Sequence, residues 1–345
     1  MVRQEDLWEG FFADHYGHSR RARLIFMRAG AETRHGVANP LVEDVSGWST
    51  GQRMQRYAAE APVLGKAAVA ASLAEAGVPA SDVGMLLVCS CTGYATPGLD
   101  VAVARDLGMP ADVHRLSVGH MGCYAALPGL AVAVDHVSRH GRAAVLLCVE
   151  LTSLHVQPSG SPPPTGVLSA DEVEQVVSHA LFSDAAAAVV VAPDGSPPPA
   201  GEFEVLDVVC RTDFAAADHM TWEVTDLGFR MGLSPRVPDV LGSHVAEVIG
   251  QLLGRHGLGV RDVAGWAVHP GGPRILRVVE RSLGLGRGAL DASGAVLRDH
   301  GNCSSATVLL VLRELARRGA VPTGGPVVAM AFGPGLTLYA VLLRA

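Results

Sequence analysis

Aromatic residues are scarce in this chain, and negative charge outweighs positive charge. Aromatics make up only 5% of the 345 residues and the formal net charge is −7, which argues against a base-stacking platform and against a basic stripe along a nucleic acid. No apolar run approaches the roughly 18 residues of a membrane helix, and the chain opens without an apolar signal region. We therefore expect a soluble cytoplasmic protein that binds neither nucleic acid nor membrane.

The cysteines lack the spacing of a metal site or of a disulfide framework. Most of the six lie inside apolar runs: Cys89, Cys91, Cys123, Cys148, Cys210 and Cys303. This placement indicates free thiols in a reducing compartment. We expect neither a disulfide nor a zinc site.

Glycine and apolar residues, in contrast, are abundant. Forty glycines and 49% hydrophobic residues fit a globular α/β enzyme, and 345 residues exceed what one hydrophobic core normally supports. The pattern of apolar residues predicts helices at 5–30, 65–76, 99–107, 123–140, 237–256, 272–283 and 302–318. It predicts strands at 83–89, 113–118, 143–149, 181–191, 204–210, 263–268, 326–332 and 337–343.

Two proline-rich segments interrupt this alternation. Residues 158–164 predict an exposed loop, and residues 192–201 mark a boundary between two halves. The order of elements in the second half echoes the first, which is typical of a duplicated β/α unit with its site where the halves meet. We predict one domain over 1–196 and a second over 197–345.

Three separated segments each carry one side chain suited to acyl chemistry: Gly-His-Met-Gly-Cys123, Ala-Val-His269-Pro-Gly-Gly-Pro and His-Gly-Asn302-Cys-Ser-Ser. A cysteine that attacks a thioester must become a thiolate, and a nearby histidine supplies the base and the stabilising cation. The asparagine adds an amide donor for an oxyanion. Each residue alone would be ordinary packing, but all three fall at glycine-rich turns between strand and helix. A helix start at Cys123 is expected to make its thiol acidic.

The chain resembles the type III polyketide synthases, the chalcone synthase family, on residues quoted as they stand here. They are Leu-Gly-Lys66, Gly-Cys123, Ala-Leu-Phe182-Ser-Asp, His269-Pro-Gly-Gly-Pro-Arg-Ile-Leu, Gly-Asn302-Cys-Ser-Ser-Ala and Phe-Gly-Pro-Gly-Leu-Thr337. The likeness extends from about residue 20 to the end. It implies a thiolase-like α/β fold, in which duplicated βαβαβ halves form a layered α-β-α-β-α body. The His-Pro-Gly-Gly-Pro turn differs from the His-Gln-Ala-Asn pattern of ketoacyl carrier-protein synthase III and favours coenzyme A thioesters as substrates.

The resemblance also implies a mechanism without a metal or redox cofactor. Cys123 would take a starter acyl group from acyl-CoA. His269 and Asn302 would bind the thioester carbonyl of malonyl-CoA, so that the enolate formed by decarboxylation meets preorganised donors. The enolate would then attack the acyl group on Cys123, and repeated rounds would give a small aromatic or pyrone polyketide.

Further roles follow from the same resemblance. Phe182 and Phe229 match two aromatic gatekeepers, although both could be ordinary core residues. The positions that line the family's cavity are Cys91, Thr92, Thr96, Thr152, His155, Met220, Ser304 and Gly333. Arg21 and Arg28 match basic residues that contact CoA phosphates, and Arg274 lies beside the pantetheine path. At the position of Cys91, the bacterial tetrahydroxynaphthalene synthases also carry a cysteine, whereas plant enzymes carry a threonine. The bulk of His155 and Met220 favours a small starter.

Several departures and alternatives accompany this interpretation. The family begins with a strand some two dozen residues before the basic helix, and this chain starts almost at that helix, so we expect either a start further upstream or a fold that compensates. Glycines of the family are replaced by Ala126, Ala185 and Ala331, among others. A starter acyltransferase of the same fold would acylate Cys123 without consuming malonyl-CoA, and a scaffold without activity is a third class. The resemblance implies a homodimer in which the segment near Thr96 reaches the partner's cavity.

Overall fold

The computed structural model describes residues 1–158, 168–193 and 201–345. The proline-rich loop beyond Pro158 and the predicted domain boundary between residues 196 and 197 lie outside the described residues. Within those three ranges, no helix combines the length and the apolarity that crossing a lipid bilayer requires.

The described residues form strands and helices in alternation. The strands are β1 (Val2–Arg3), β2 (Thr33–Arg34), β3 (Val83–Ser90), β4 (His114–Gly119), β5 (Ala143–Glu150), β6 (Ala185–Val191), β7 (Glu204–Thr212), β8 (Met220–Thr225), β9 (Gly228–Leu233), β10 (Gly265–Val268), β11 (Pro326–Gly333) and β12 (Thr337–Arg344). The α-helices are α1 (Gln4–Leu7), α2 (Ala13–His15), α3 (Arg20–Met27), α4 (Thr50–Ala76), α5 (Leu99–Asp106), α6 (Ala126–His140), α7 (Ala170–Leu181), α8 (Val237–Gly254), α9 (Pro273–Leu283), α10 (Asp291–His300) and α11 (Thr307–Arg318).

Two four-stranded sheets organise the molecule. The first has the order β4-β3-β5-β6, in which β3 is parallel to β4 and β5, and β6 is antiparallel to β5. The second has the order β10-β11-β12-β7, in which β10 and β11 are parallel and the other pairs antiparallel. The parallel pair followed by an antiparallel strand recurs in both sheets. This repetition confirms the predicted likeness of the two halves.

Helices α6 and α11 lie between the two sheets. Leu87 of β3 and Ala329 of β11 point into one shared core with Leu127 of α6 and Val308 of α11. Side chains alternate along a strand, so the opposite faces of the sheets pack elsewhere. The first sheet packs its outer face against α4 and α5, and the second packs its outer face against α8 and α9. The predicted α-β-α-β-α layering is therefore confirmed.

Three local predictions were wrong. The predicted helix at 5–30 is interrupted after His15, because Gly17 and His18 both adopt a φ of 56° and end the first helical segment. The strand predicted from residue 181 begins at Ala185, because the preceding residues complete α7, which the apolar pattern did not predict. The antiparallel hairpin of β8 and β9 was not predicted either.

Helix α10 and the short strands β1 and β2 were not predicted. The remaining elements differ only in their bounds. The helix predicted at 65–76 is the second half of the longer α4. The helices predicted to begin at Cys123 and Asn302 begin at Ala126 and Thr307, each after a short 3-10 turn. In the first sheet, β4 and β6 are the outer strands among the described residues, and the seven residues of β6 are half-buried.

Candidate active site

The nucleophile candidate Cys123 lies in a 3-10 turn, Gly122–Tyr124, between β4 and α6. Two glycines allow this turn to form. Gly122 has a φ of 77°, and a Cβ there would lie 2.4 Å from Cδ of Pro334. A Cβ on Gly333 would lie 3.2 Å from the backbone nitrogen of Cys123. The end of β11 therefore packs directly against the cysteine turn, and a side chain at either glycine would displace it.

Asn302 lies on the matching turn of the second half, just before the 3-10 residues Ser304–Ala306 and α11. Its backbone pairs with the first half: Asn302 N–H donates to Leu181 O at 2.8 Å, and Ser183 N–H donates to Asn302 O at 2.9 Å. Its side-chain Oδ1 accepts a 2.9 Å hydrogen bond from Ser304 N–H. The Asn302 amide is thus oriented by its own turn.

His269 follows β10 and is also buried. The backbone N–H of His269 donates to Met330 O of β11 at 2.8 Å. The imidazole ring packs edge-on against the ring of Phe332, with centroids 5.8 Å apart. Nδ1 of His269 is buried without a hydrogen-bond partner among the described residues. Burial lowers the pKa of His269 to about 3. Because Phe332 precedes Gly333, the chain links the histidine to the cysteine turn.

Burial raises the pKa of Cys123 to about 12, although hydrogen bonding from Ser304 and Asn302 lowers it and nearby Glu150 raises it. This direction is opposite to the acidic thiol expected from a helix start. The thiol is removed from water, and desolvation disfavours its charged form more than these neighbours favour it. Among the described residues, no hydrogen bond joins Cys123 to His269 in this state. The structure brings Cys123, Asn302 and Ser304 together, and His269 packs against Phe332, the residue before Gly333.

Glu150, at the end of β5, connects several cavity residues that the sequence predicted. Its carboxylate accepts hydrogen bonds from Cys91 N–H at 3.0 Å and from the hydroxyl of Thr92 at 2.9 Å, and it also bonds the Ser305 hydroxyl. The Cys91 sulfur lies 3.3 Å from Ser304 Oγ. Burial raises the pKa of Glu150, and these hydrogen bonds lower it. A fully buried carboxyl group therefore lies behind the cysteine turn.

The hairpin of β8 and β9 forms another wall. Phe229 is buried, and its N–H donates to Nδ1 of His155 at 3.0 Å, while Nε2 of His155 bonds Thr92 O at 2.6 Å. Nδ1 is thus the acceptor, so Nε2 carries the proton. The two rings stack with centroids 4.5 Å apart. Burial lowers the pKa of His155 to about 3, and the neutral imidazole fixes Phe229 in place.

Trp222 lies on the same face of this hairpin and was not predicted. Its Nε1–H donates to Cys91 O at 2.6 Å. Its ring centroid lies 6.4 Å from that of Phe182 and 6.1 Å from that of Phe229. The indole therefore stands between the two predicted gatekeepers and the strand end that carries Cys91.

The remaining predicted cavity residues differ in their burial and in their contacts. Thr152 donates to Asp184 Oδ1 at 3.1 Å, so it braces a buried carboxylate. Met220 is buried at the start of β8, in the core beside Leu336. Thr96 is exposed.

The three predicted CoA contacts are exposed. Arg21 and Arg28 belong to α3 and its C-terminal cap. Arg274 is already paired: its Nη2 lies 3.0 Å from both carboxylate oxygens of Asp239. A Cβ on Gly30 would lie 2.7 Å from Pro273, so the end of α3 packs against the start of α9 and brings these arginines to one side of the molecule.

Glu150 and Trp222, which were not predicted as site residues, differ in how readily the sequence reveals them. Glu150 is the one charged residue at the end of an otherwise apolar strand, which is a readable sign of a buried carboxylate near a site. Trp222 carries no such sign, because its role depends on the hairpin packing across the cavity.

The chain matches two family descriptions. "Chalcone and stilbene synthases, N-terminal domain" matches residues 33–195, and "Chalcone and stilbene synthases, C-terminal domain" matches residues 208–345. Among curated proteins, the 1,3,6,8-tetrahydroxynaphthalene synthase of Streptomyces peucetius subsp. caesius is 35% identical over 324 residues, which cover 93% of this chain and 83% of that protein.

Two more relatives are similar. An alpha-pyrone synthesis polyketide synthase-like protein of Mycobacterium tuberculosis (strain CDC 1551 / Oshkosh) is 33% identical over 279 residues, which cover 77% of this chain and 67% of that protein. The crystal structure of 1,3,6,8-tetrahydroxynaphthalene synthase from Streptomyces coelicolor A3(2) superposes with a TM-score of 0.90 at 26% identity, covering 99% of this chain and 95% of that one.

Proposed function

This chain is a type III polyketide synthase of the chalcone and stilbene synthase family, and from that premise we propose a role for each residue of its site. The thiolase-like fold predicted from the sequence is confirmed by the superposed structure. The enzyme is a transferase that uses malonyl-CoA. We propose that Cys123 is the nucleophile and that His269 and Asn302 bind the malonyl thioester.

The observation that carries this assignment is the convergence of two turns. The 3-10 turns that hold Cys123 and Ser304 lie against each other, although one precedes α6 and the other precedes α11. Ser304 and Asn302 both stabilise negative charge on the Cys123 sulfur. A preorganised amide and hydroxyl around a thiol are the donors that acyl transfer requires.

The proposed reaction balances without a further cofactor. The Cys123 sulfur attacks the starter carbonyl carbon, the carbon–sulfur bond to CoA breaks, and the CoA sulfur takes the proton that His269 received from the cysteine. In malonyl-CoA the carboxylate leaves as carbon dioxide, and its bonding electrons form an enolate that His269 and Asn302 stabilise. The enolate carbon then attacks the acyl carbon on Cys123, which regenerates the thiolate.

Burial disfavours both ions of the cysteine–histidine pair when each is considered alone. The pKa of Cys123 is raised to about 12 and that of His269 is lowered to about 3. We propose that the two ions form together, because the attraction between opposite charges is strong in a site that excludes water. We infer that His269 is the base for Cys123 as well as a donor to the malonyl carbonyl.

We place the entry for CoA where α3 meets α9. Arg28 caps α3 and Arg274 lies in the first turn of α9, and both are exposed. The turn after His269 packs there too, since a Cβ on Gly272 would lie 3.7 Å from Leu181, the neighbour of Phe182. Arg21 and Arg28 are free to meet phosphates, whereas Arg274 would exchange its contact with Asp239 for one with substrate.

A small starter and a small aromatic or pyrone product fit the residues around the hairpin. His155, Met220 and Trp222 are bulky side chains. The relatives named above include a tetrahydroxynaphthalene synthase and a pyrone-forming protein. We propose that acyl-CoAs with short chains are preferred over aromatic starters.

We also propose that the enzyme is a cytoplasmic homodimer. The cysteines in the described residues are free thiols, which suits a reducing compartment. Thr96 and its neighbour Tyr94, which is 65% exposed, lie on an exposed segment that follows Cys91 and Thr92 in the chain. Such a segment is free to complete the cavity of a partner subunit.

Intact-protein mass spectrometry tests the assignment of the nucleophile. Wild-type protein, Cys123→Ala and the control Cys210→Ala are each incubated with acetyl-CoA or butyryl-CoA and then with malonyl-CoA. The control removes the one exposed cysteine among the described residues. We expect one acyl group per chain and a polyketide product from wild type and Cys210→Ala, and neither from Cys123→Ala. Loading that depends on Cys210, or turnover by Cys123→Ala, would contradict the proposal.

The roles of His269 and Asn302 need a second readout. Release of labelled carbon dioxide from malonyl-CoA is measured for His269→Gln and Asn302→Leu. Because both residues bind the thioester carbonyl in the proposal, we expect release to fall by at least 100-fold. Asn302→Leu should still accept the starter on Cys123. Normal release in both variants would reject these roles.

A further inference from the structure

Three histidines gather at the far end of α6, away from Cys123. His136 and His140 are one turn apart in the last residues of that helix, and His114 is the first residue of the neighbouring outer strand β4. One ring nitrogen from each lies within 4.8 Å of the other two. The ring centroids of His136 and His140 are 4.5 Å apart, and that of His114 is 5.2 Å from His136. We call these three residues the histidine cluster.

One member of the histidine cluster, His136, has a ring nitrogen that forms no hydrogen bond among the described residues. His136 is only 9% exposed, and its Nε2 is buried without a hydrogen-bond partner among the described residues. Buried polar nitrogens without a hydrogen-bond partner are rare in folded proteins, so this one requires an explanation. Gly84 leaves the space that this ring occupies, since a Cβ there would lie 2.9 Å from Nε2. The histidine is thus held in a fitted position with one ligand atom unused.

The nearest cation does not supply that partner. Arg142 lies beside Gly84, but its guanidinium donates to Val83 O at 3.1 Å and pairs with Asp112 at 3.2 Å. Its charge is therefore balanced by a carboxylate, and its donors are directed elsewhere.

The geometry and the ligand type match a transition-metal ion. Zinc binds imidazole nitrogens at about 2.0–2.1 Å, which places tetrahedral ligand atoms roughly 3.4 Å apart. The exposed rings of His114 and His140 can turn to close the remaining gap of about 1 Å. Imidazole ligands favour zinc, copper or nickel over magnesium or calcium, which prefer oxygen. The C-terminal end of α6 also favours a positive charge.

We propose that His114, His136 and His140 bind one divalent transition-metal ion, Zn²⁺, with a fourth position left for water. The ion ties the outer strand β4 to the end of α6. Because α6 has 15 residues, the site lies about 20 Å along the helix from the turn of Cys123. The metal therefore stabilises the fold and takes no part in acyl transfer.

This site was missed in the sequence because the metal prediction rested on cysteine spacing alone. His136 and His140 have the separation of a helical metal pair, but His114 lies 22 positions before His136. Only the packing of α6 beside β4 brings the third ligand to the other two.

Zinc titration of the tag-free, chelator-stripped enzyme tests the proposal. Binding is measured by competition with a chromophoric chelator and by calorimetry, with Mg²⁺ as the hard-cation comparison. We expect one Zn²⁺ per chain with a Kd of roughly micromolar order or tighter, and no response to Mg²⁺. At about 100 times Kd, Zn²⁺ should raise Tm by about 4 °C.

The variants are chosen among exposed residues so that folding is preserved. His114→Gln and His140→Gln should each weaken Zn²⁺ binding at least tenfold and abolish the rise in Tm. His300→Gln is the matched control, because His300 and His35 form a separate histidine pair with nitrogens 3.3 Å apart. It should leave binding unchanged, as should Cys123→Ala. No Zn²⁺ uptake by wild type, or equal affinity in His114→Gln and His140→Gln, would overturn the proposal.

Discussion

Replacing Trp222 by alanine tests whether its indole limits the size of the starter. The ring donates to Cys91 O at 2.6 Å, and its centroid lies 5.7 Å from the His155 ring and 6.1 Å from the Phe229 ring. The side chain thus fills a gap between residues that line the proposed cavity. Alanine removes the ring and leaves a space of aromatic size, which an aromatic starter can occupy.

The expected magnitude follows from the surface that such a starter would bury. A phenyl ring that enters this space removes about 100 Å² of apolar surface from water, worth about 2.5 kcal/mol at 25 cal/mol per Å². The same energy is unavailable to an acetyl starter. The ratio of kcat/KM for benzoyl-CoA over acetyl-CoA should therefore rise by roughly 60-fold, since 1.4 kcal/mol corresponds to a factor of ten.

The assay measures kcat/KM for acetyl-CoA, butyryl-CoA and benzoyl-CoA with labelled malonyl-CoA. Trp222→Phe keeps an aromatic ring but loses the N–H donor, so it separates volume from the hydrogen bond to Cys91. Val224→Ala is the control, because Val224 belongs to the same strand but is 65% exposed. A ratio that changes less than threefold in Trp222→Ala, or as much in Val224→Ala, would refute this reasoning.

Three further predictions follow from contacts around the site. Gly333→Ala should lower kcat at least 100-fold, because its Cβ would press on the cysteine turn, whereas Gly119→Ala, with nothing within 4 Å of its Cβ, should change kcat less than threefold. Arg53→Met should lower the free energy of unfolding, measured in urea, by about 3–5 kcal/mol, because the fully buried guanidinium donates hydrogen bonds to four backbone carbonyls. A loss below about 1 kcal/mol would contradict this prediction. His155 and His269, with pKa values lowered to about 3, bind protons between pH 6.5 and 5 only after unfolding, so their joint contribution to stability is fully present well above pH 6.5 and falls by about 3 kcal/mol per pH unit as pH drops toward 5. Urea titrations at pH 7.5, 6.5 and 5.5 measure the slope of the free energy of unfolding, which His155→Gln should lower by about 1.4 kcal/mol per pH unit.

The central strands β3 and β5 of the first sheet were predictable because their residues are buried on both faces. β3 and β5 therefore appear as uninterrupted apolar runs, and their bounds were predicted within one residue. The helix α7 also had a signal: Ser169 and Glu172 form a capping box, with Ser169 Oγ accepting from Glu172 N–H at 3.2 Å. That signal falls directly after the proline-rich segment, where the apolar pattern predicted a loop.

The cavity was harder to predict than the fold. Cys123, His269 and Asn302 were proposed from the sequence because residue type and turn sequence indicate their chemistry. The partners of these residues come from elsewhere in the chain, as when Glu150 binds Cys91. The acidity expected for Cys123 was wrong in direction because a helix start is visible in the sequence, whereas the removal of its thiol from water is not.

The duplication explains why the chemistry lies where it does. α6 and α11 occupy the same layer between the sheets, and the turns before them, with Cys123 and Asn302, are in contact. Each helix start carries a partial positive charge and unpaired N–H groups. Two such starts at one point stabilise negative charge, first on the sulfur and then on the enolate, while burial opposes it. In the proposed mechanism, the site therefore holds a charge only while a thioester, His269 and both helix starts are together, which confines the reactive enolate to the moment of condensation.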